Sequence, residues 1–400
     1  MTTSPSRRAL RTRALTAITT CAITGGLLTA APAPAFAGPS SDPKIVARSV
    51  APDNHRHCAT SMIDVDLNLS TPLTPGGPLL PIPRALAPSR VFAKVCLPDG
   101  GTPRAVQVLL HGIGYDHRYW NIADPADPDG DRYSWEAAAA KAGYATVAID
   151  RIGNGESSQP PSLAVTIDSN ASVVHQVVQA LRHGSVRGPH GNVRFSRVAL
   201  VGHSYGSIVS FIEADRYHDV DALLLTAVSH HLREVHAPLA IESLNYPAAA
   251  DPQFQGRLLD PGYITTLPGT GVRDQVFYAP GTDFDQRILR TDDETKGLAS
   301  QGELLNFPLF LGKHLDIRVP VFLLDGSKDG LFCHQTPLDL GAPCSSAHAL
   351  VESERPFFGP RVPSLKAYIA PGSGHVINAF HSSRGSFDAA MSWIRDTLSP

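Results

Sequence analysis

Gly202-His203-Ser204-Tyr205-Gly206 sets one hydroxyl between two glycines. It follows an apolar run, Arg197 to Val201, and precedes a helix-like stretch, Ser207 to Ala214. Strand, tight turn and helix form the setting of a nucleophile elbow. A serine held in a strained turn brings the residues two before and two after it too close to neighbouring backbone for side chains, so both are glycine. The turn lifts the Ser204 hydroxyl over the sheet edge, within reach of a base. Free serine is a poor nucleophile at neutral pH, so the chemistry this motif offers is base-assisted attack on a carbonyl.

The surrounding elements must hold that turn rigidly. Val106–Leu110, Tyr144–Ile149, Arg197–Val201, Ala222–Leu225, Val319–Leu324 and Leu365–Ile369 are short, continuous apolar runs. Such runs fit strands buried on both faces. Helix-like stretches lie between and after them, at Tyr133–Lys141, Leu163–His183, Tyr205–Tyr217 and Phe387–Leu398. The alternation predicts an α/β fold with a doubly wound, mostly parallel sheet. Ser61–Ser70 and Val91–Leu97 alternate apolar and polar residues, which predicts two antiparallel edge strands joined by the Pro-rich loop 72–89. About ninety residues, His231 to Arg318, separate the sixth strand from the seventh, far too many for one crossover. They carry Tyr246, Phe254, Tyr263, Phe277, Tyr278, Phe284, Phe307 and Phe310. The expected arrangement is a cap over the strand C-termini, where an open α/β sheet places its ligand; a long surface excursion is the competing reading.

Four hundred residues with 42% hydrophobic and 18% charged side chains describe a globular chain with a sizeable core. The net charge of −3 and the lack of a basic face give no sign of a nucleic-acid partner. Arg7, Arg8, Arg11 and Arg13 precede the uncharged stretch Ala14–Ala30 and an Ala35-Phe36-Ala37 cleavage pattern. This predicts a signal peptide over 1–37 and a secreted, soluble protein. Ser6-Arg7-Arg8-Ala9-Leu10 partly resembles a twin-arginine signal, and the export route stays open. Thr16, Thr19, Thr20, Gly25 and Gly26 weigh against a membrane anchor. The expected organisation is therefore a core over 38–230 and 318–400, with the cap over 231–317.

Removing Cys21 with the signal leaves Cys58, Cys96, Cys333 and Cys344, an even number in an oxidising compartment. Of three connectivities, Cys58–Cys96 and Cys333–Cys344 would each staple neighbouring segments; free buried thiols are the competing reading. His55-Arg56-His57-Cys58 lacks a matching ligand cluster for a metal. Asp127-Pro128-Asp129-Gly130-Asp131 opens like a calcium loop, but Ala138 stands where an EF-hand needs Glu. No metal or cofactor is expected. Asn68-Leu69-Ser70 and Asn170-Ala171-Ser172 are glycosylation sequons.

Taken in order, the landmarks resemble the α/β-hydrolase superfamily across nearly all of the mature sequence. They are His111-Gly112-Ile113-Gly114, Asp150-Arg151-Ile152-Gly153-Asn154-Gly155-Glu156-Ser157, the elbow, Asp325-Gly326-Ser327-Lys328-Asp329 and Gly372-Ser373-Gly374-His375. The family's triad order is Ser, acid, His. The resemblance thus implies Ser204 as nucleophile, Asp329 as acid with Asp325 as runner-up, and His375 as base. It implies oxyanion donors at the backbone N–H groups of Tyr205 and Ile113, and bracing roles for His203 and His111. Tyr115–Trp120 would line the pocket or simply pack, and His230-His231 would pack in the core or at the rim. The implied activity is that of a secreted serine hydrolase cleaving a carboxylic ester through an acyl-enzyme, and the aromatics of the cap suggest a small-molecule, apolar ester substrate of moderate size. A lactonase, peptidase, thioesterase or carbon–carbon hydrolase on the same triad, or a non-catalytic binding protein on the same fold, are the alternatives. Ser204 argues against the relatives with an aspartate nucleophile, and the oligomeric state is left open.

Overall fold

The computed structural model describes residues 53, 56–67, 88–127, 130–233, 240, 242–279, 281–334, 336 and 339–398. The segment 1–37 expected to be a signal peptide, His55, the Asn68 sequon, Asp129 and most of the loop 72–89 lie outside the described residues.

Eight strands form the main sheet: β1 (Arg56–Asp66), β2 (Pro88–Pro98), β3 (Ala105–Leu110), β4 (Ala145–Ile149), β5 (Arg197–His203), β6 (Ala222–Thr226), β7 (Val321–Gly326) and β8 (Leu365–Ala370). Their order is β1-β2-β4-β3-β5-β6-β7-β8. β3 to β8 run parallel. Every residue of β3, β4, β6 and β7 is buried, as strands covered on both faces require.

The two N-terminal strands differ from expectation. β1 begins at Arg56 rather than near Ser61, and of these two strands β1 alone lies at the sheet edge. β2 pairs antiparallel with β1 on one side and with β4 on the other. Its run Ala93 to Pro98 is buried nearly throughout, because β4 covers the edge that alternation alone leaves open.

The longer helices among the described residues are α1 (Trp135–Lys141), α2 (Ile167–His183), α3 (Tyr205–Tyr217), α4 (Gln286–Glu294), α5 (Gln301–Asn306), α6 (Ala347–Phe358) and α7 (Ser383–Thr397). Ser134 caps α1 through the N–H of Ala137. Thr166 and Ser169 make a reciprocal cap on α2, and Gly184 closes it in the left-handed region at φ 77°. Helix α6 falls in a stretch where the sequence predicts none. Pro356 sits in its final turn, where it forfeits one helical hydrogen bond, and Phe357 and Phe358 are buried.

The chain between β6 and β7 holds α4, α5 and a small sheet of Tyr246–Pro247, Tyr263–Thr265 and Ala299–Ser300. It packs on loops at the C-terminal ends of the parallel strands. Asn306 accepts from the N–H of Ile167 at 2.8 Å, and Ser300 donates to the Val165 carbonyl at 3.1 Å. The Phe277 carbonyl accepts from the N–H of His375 at 2.8 Å.

Candidate active site

Ser204 stands at the junction of β5 and α3 with φ 53° and ψ −119°, inside the left-handed region that a serine rarely enters. It occupies the N-cap of α3, yet its hydroxyl makes no capping bond. A serine cap normally adopts extended backbone and turns its oxygen onto the helix; here the inverted φ turns it away. The glycines have the steric cause expected of them. A Cβ on Gly202 would lie 2.4 Å from the Ser207 backbone, and one on Gly206 would lie 2.1 Å from the Leu110 carbonyl. Ser204 N–H donates to the Thr226 carbonyl at 2.8 Å, which ties the elbow to β6.

His375 follows β8 and Asp329 follows β7, the adjacent parallel strand. His375 Nδ1 lies 2.7 Å from Asp329 Oδ2, with both side chains buried. The other carboxyl oxygen of Asp329 accepts from the N–H groups of Leu331 (2.8 Å) and Phe332 (3.2 Å). The rings of Phe277 and Phe332 flank the His375 imidazole at 5.9 and 5.7 Å, and both residues also line the pocket that contains Ser204.

Asp325, four residues earlier, is buried within β7. Burial first, then the charges of Asp329 and Glu354, push its pKa well up. The acid beside the imidazole is Asp329.

The loop after β3 backs onto the elbow. A Cβ on Gly112 would come within 3.2 Å of the Ser204 Cβ, so a side chain there would press its neighbours back by a few tenths of an ångström. His111 is fully buried, and its pKa falls to about 3, mainly through burial and then the Arg151 charge. Its Nε2 accepts from the N–H of Arg151 at 2.9 Å, which leaves the proton on Nδ1, 2.8 Å from the Gly112 carbonyl. Ile113 follows and lines the pocket with Ser204. Tyr205 is the first residue of α3, where a helix N–H has no partner within the helix.

The pocket at Ser204 is lined by Ile113, Leu232, Ala240, Leu244, Phe277, Leu304, Phe307, Leu331 and Phe332. Its volume is about 50 Å³, and apart from Ser204 every lining residue is apolar.

Other sequence candidates pack rather than face this pocket. Tyr119 stacks on His203 at 4.3 Å, Trp120 meets Trp135 edge-on at 5.7 Å, and Tyr115 lies under the Arg273 guanidinium at 4.5 Å. His203 is held neutral by burial first, then by the nearness of His375 and His111. His230 Nδ1 binds Glu354 at 2.7 Å in the core. Burial opposes the ionised form of Glu354, but the bonds from His230 and Ser229 outweigh it and hold its pKa down. The Asn170 sequon is buried in α2, with its amide bonded to the Thr166 carbonyl at 2.8 Å.

The sequence offers little that points to Arg151 and Glu303. Arg151 lies in the turn after β4, and Glu303 completes a Ser300–Glu303 capping box on α5. Arg151 Nη1 meets Glu303 Oε1 at 2.5 Å, with neither side chain exposed.

Among the described residues, three clusters gather groups that could bind a metal. Each already has partners within the chain. Cys58 and Cys96 are bonded to each other, with Asp53 and Glu136 beside them. In the second, His117 binds Asp150 and Arg118 binds Asp116; in the third, His175 binds Asp219. Asp131 of the calcium-like turn pairs with Lys141. Cys333 is joined to Cys344 across one loop. No helix among the described residues is long and apolar enough to cross a membrane.

A mostly parallel eight-stranded sheet, with a strained serine after β5 and a His–Asp pair after β8 and β7, defines the class of α/β hydrolases. Residues 107–385 match the model of the alpha/beta hydrolase family, and the chain belongs to that family. No curated protein matches the sequence. Among solved structures, a Rickettsia typhi protein described as a candidate hydrolase is 10% identical with a TM-score of 0.51, covering 85% of this chain and all of its own. Carboxylesterase CesB from Bacillus subtilis is 14% identical, with a TM-score of 0.48 and coverage of 85% of this chain and 93% of that one. An enol-lactonase from Burkholderia xenovorans is 16% identical, with a TM-score of 0.46 and coverage of 78% and 97%. At these identities the likeness is one of fold.

Proposed function

We propose that this chain is a secreted serine esterase in which Ser204, His375 and Asp329 act as nucleophile, base and orienting acid. The observation that carries the reading is the 2.7 Å contact of His375 Nδ1 with Asp329, on the loops after β8 and β7, together with a serine whose hydroxyl makes no bond to its own helix. Asp329 accepts a hydrogen bond from Nδ1–H, which keeps the proton on Nδ1 and leaves Nε2 as the basic nitrogen. His375 takes the Ser204 proton as the hydroxyl attacks the ester carbonyl. The N–H groups of Tyr205 and Ile113 stabilise the oxyanion, each worth roughly 2.7–4 kcal/mol in such sites. His375 then protonates the departing alcohol, leaving an acyl-enzyme. Water, deprotonated by the same imidazole, releases the carboxylic acid.

The apolar lining suits an acyl group. A cavity of about 50 Å³ is well below the roughly 150 Å³ that accommodates a benzene-sized ligand, so the preferred acyl chains are short. The stretch 231–317 serves as a cap, because Leu232, Ala240, Leu244, Phe277, Leu304 and Phe307 all lie within it. The core is then 38–230 with 318–400, exported behind a signal peptide over 1–37; two bonded cysteine pairs suit an oxidising compartment.

Hydrolysis of p-nitrophenyl esters from acetate to palmitate, with Ser204→Ala beside the wild type, tests this. Activity greatest on acetate to butyrate and lost in Ser204→Ala is expected. A folded wild type that cleaves none of the series, or an active Ser204→Ala variant, removes the esterase reading.

A further inference from the structure

The buried guanidinium of Arg151 touches both sides of the proposed oxyanion hole, and its counter-charge comes from the stretch between β6 and β7. Its Nε donates to the His111 carbonyl at 2.9 Å and its Nη2 to the Gly112 carbonyl at 3.3 Å. Its Nη1 donates to Asn170 at 3.1 Å and to Glu303 at 2.5 Å. The flat face of the group lies 4.8 Å from the centre of the Tyr205 ring.

The Gly112 carbonyl and the Ile113 N–H belong to one peptide unit, and in a trans peptide they point in opposite directions. His111 Nδ1 and Arg151 Nη2 both draw that carbonyl to one side. The Ile113 N–H is thereby aimed the other way. Gly112 makes this peptide easy to rotate, because glycine resists so few backbone conformations. Something must hold it, and Arg151 is the charged donor that does. The adjoining residue, Gly114, is held separately: its N–H donates to Leu298 at 3.1 Å and its carbonyl accepts from Gly297 at 2.8 Å.

A buried guanidinium needs a compensating charge. Glu303 provides it, and its position is fixed by the α5 cap, where its other oxygen accepts from the Ser300 N–H at 2.9 Å. The next residue, Leu304, lines the pocket.

We infer that Arg151, neutralised by Glu303, is a positioning residue for the oxyanion hole, orienting the Ile113 N–H through the Gly112 carbonyl and seating Tyr205 beneath its guanidinium face. The inference rests on the esterase reading above.

The test is the double variant Arg151→Met/Glu303→Gln. It removes both charges together, and glutamine can still complete the α5 capping box. Steady-state p-nitrophenyl acetate kinetics, melting temperature and the rate of Ser204 labelling by an organophosphonate are measured on it. The expected result is a kcat loss of about 10²–10³-fold, the scale of one lost oxyanion donor. KM should change by less than about threefold, and labelling should slow in parallel with kcat, because ground-state binding does not use the oxyanion donors. Should the double variant not fold, Arg151→Lys is the second test. One ammonium cannot reproduce the fork of donors, so the same split between kcat and KM is expected. A folded variant with wild-type kcat and labelling rate overturns the inference. Ser204→Ala separates the two claims: if it stays active the esterase reading itself fails, whereas an inactive Ser204→Ala beside a fully active Arg151 variant defeats only the positioning role.

Discussion

His375 Nδ1 sits 2.7 Å from Asp329 Oδ2, while Asp325, four residues earlier within β7, is a buried carboxyl whose pKa is pushed well up, first by burial. Two aspartates four residues apart thus have different surroundings. Asp329→Asn keeps the shape but presents an amide to the imidazole, favouring the wrong tautomer. A kcat loss of about 10⁴-fold is expected for p-nitrophenyl acetate, the scale seen when a triad aspartate is so replaced. Asp325→Asn puts a neutral group of equal size in place of a carboxyl whose raised pKa favours the protonated form, and its kcat should stay within about threefold of wild type. The reverse ranking would transfer the acid role to Asp325.

Glu213, buried in α3, meets no donor group at either carboxyl oxygen, and the Asp219 carboxylate lies beside it. Burial first, then Asp219, raises its pKa well above the ordinary 4.5. The folded protein therefore holds this proton while the unfolded chain loses it above about pH 4.5. The contribution of Glu213 to stability is full below pH 4.5 and is lost as pH rises toward the folded pKa. Glu213→Gln should raise the melting temperature at pH 8 and leave it nearly unchanged at pH 4. Equal shifts at both pH values would contradict a protonated Glu213.

Arg273 and Asp292 form a two-point ion pair, 2.9 Å at each contact, buried beneath Tyr115. Arg273→Met strands the carboxylate and should cost about 3–5 kcal/mol in urea unfolding. Arg273→Met/Asp292→Leu should recover most of that loss. Additive losses in the double variant would mean that the two side chains do not act as a pair.

The two disulfides should differ in effect. Cys58–Cys96 spans 38 residues and joins β1 to β2, far from the pocket. Chain entropy assigns it about 4 kcal/mol of stability, against about 3 kcal/mol for Cys333–Cys344, which spans 11. The second holds the turn in which the Asp329 carbonyl accepts from the Cys333 N–H at 3.2 Å. Replacing Cys58 and Cys96 by serine should lower the melting temperature more, while replacing Cys333 and Cys344 should lower kcat more.

Phe307 and Leu304 close one wall of the small pocket, and Phe307 is only half-buried. Phe307→Ala should shift the preferred acyl chain from acetate and butyrate toward longer esters. An unchanged chain-length profile would place the acyl group elsewhere.

The elbow was legible in the sequence because its constraints are local: two glycines, a serine and the strand and helix on either side act within a few residues. The parallel strands were legible for a similar reason, since burial on both faces leaves a continuous apolar run. Tertiary structure alone decided that β2 lies inside the sheet, that α6 forms despite Pro356, and that burial raises the pKa of Asp325. Arg151 and Glu303, 152 residues apart, meet only because the chain between β6 and β7 folds back on the turn after β4. Local sequence determines which backbone shapes are allowed. Which charges come to face each other, and how far burial shifts their ionisation, depends on long-range packing.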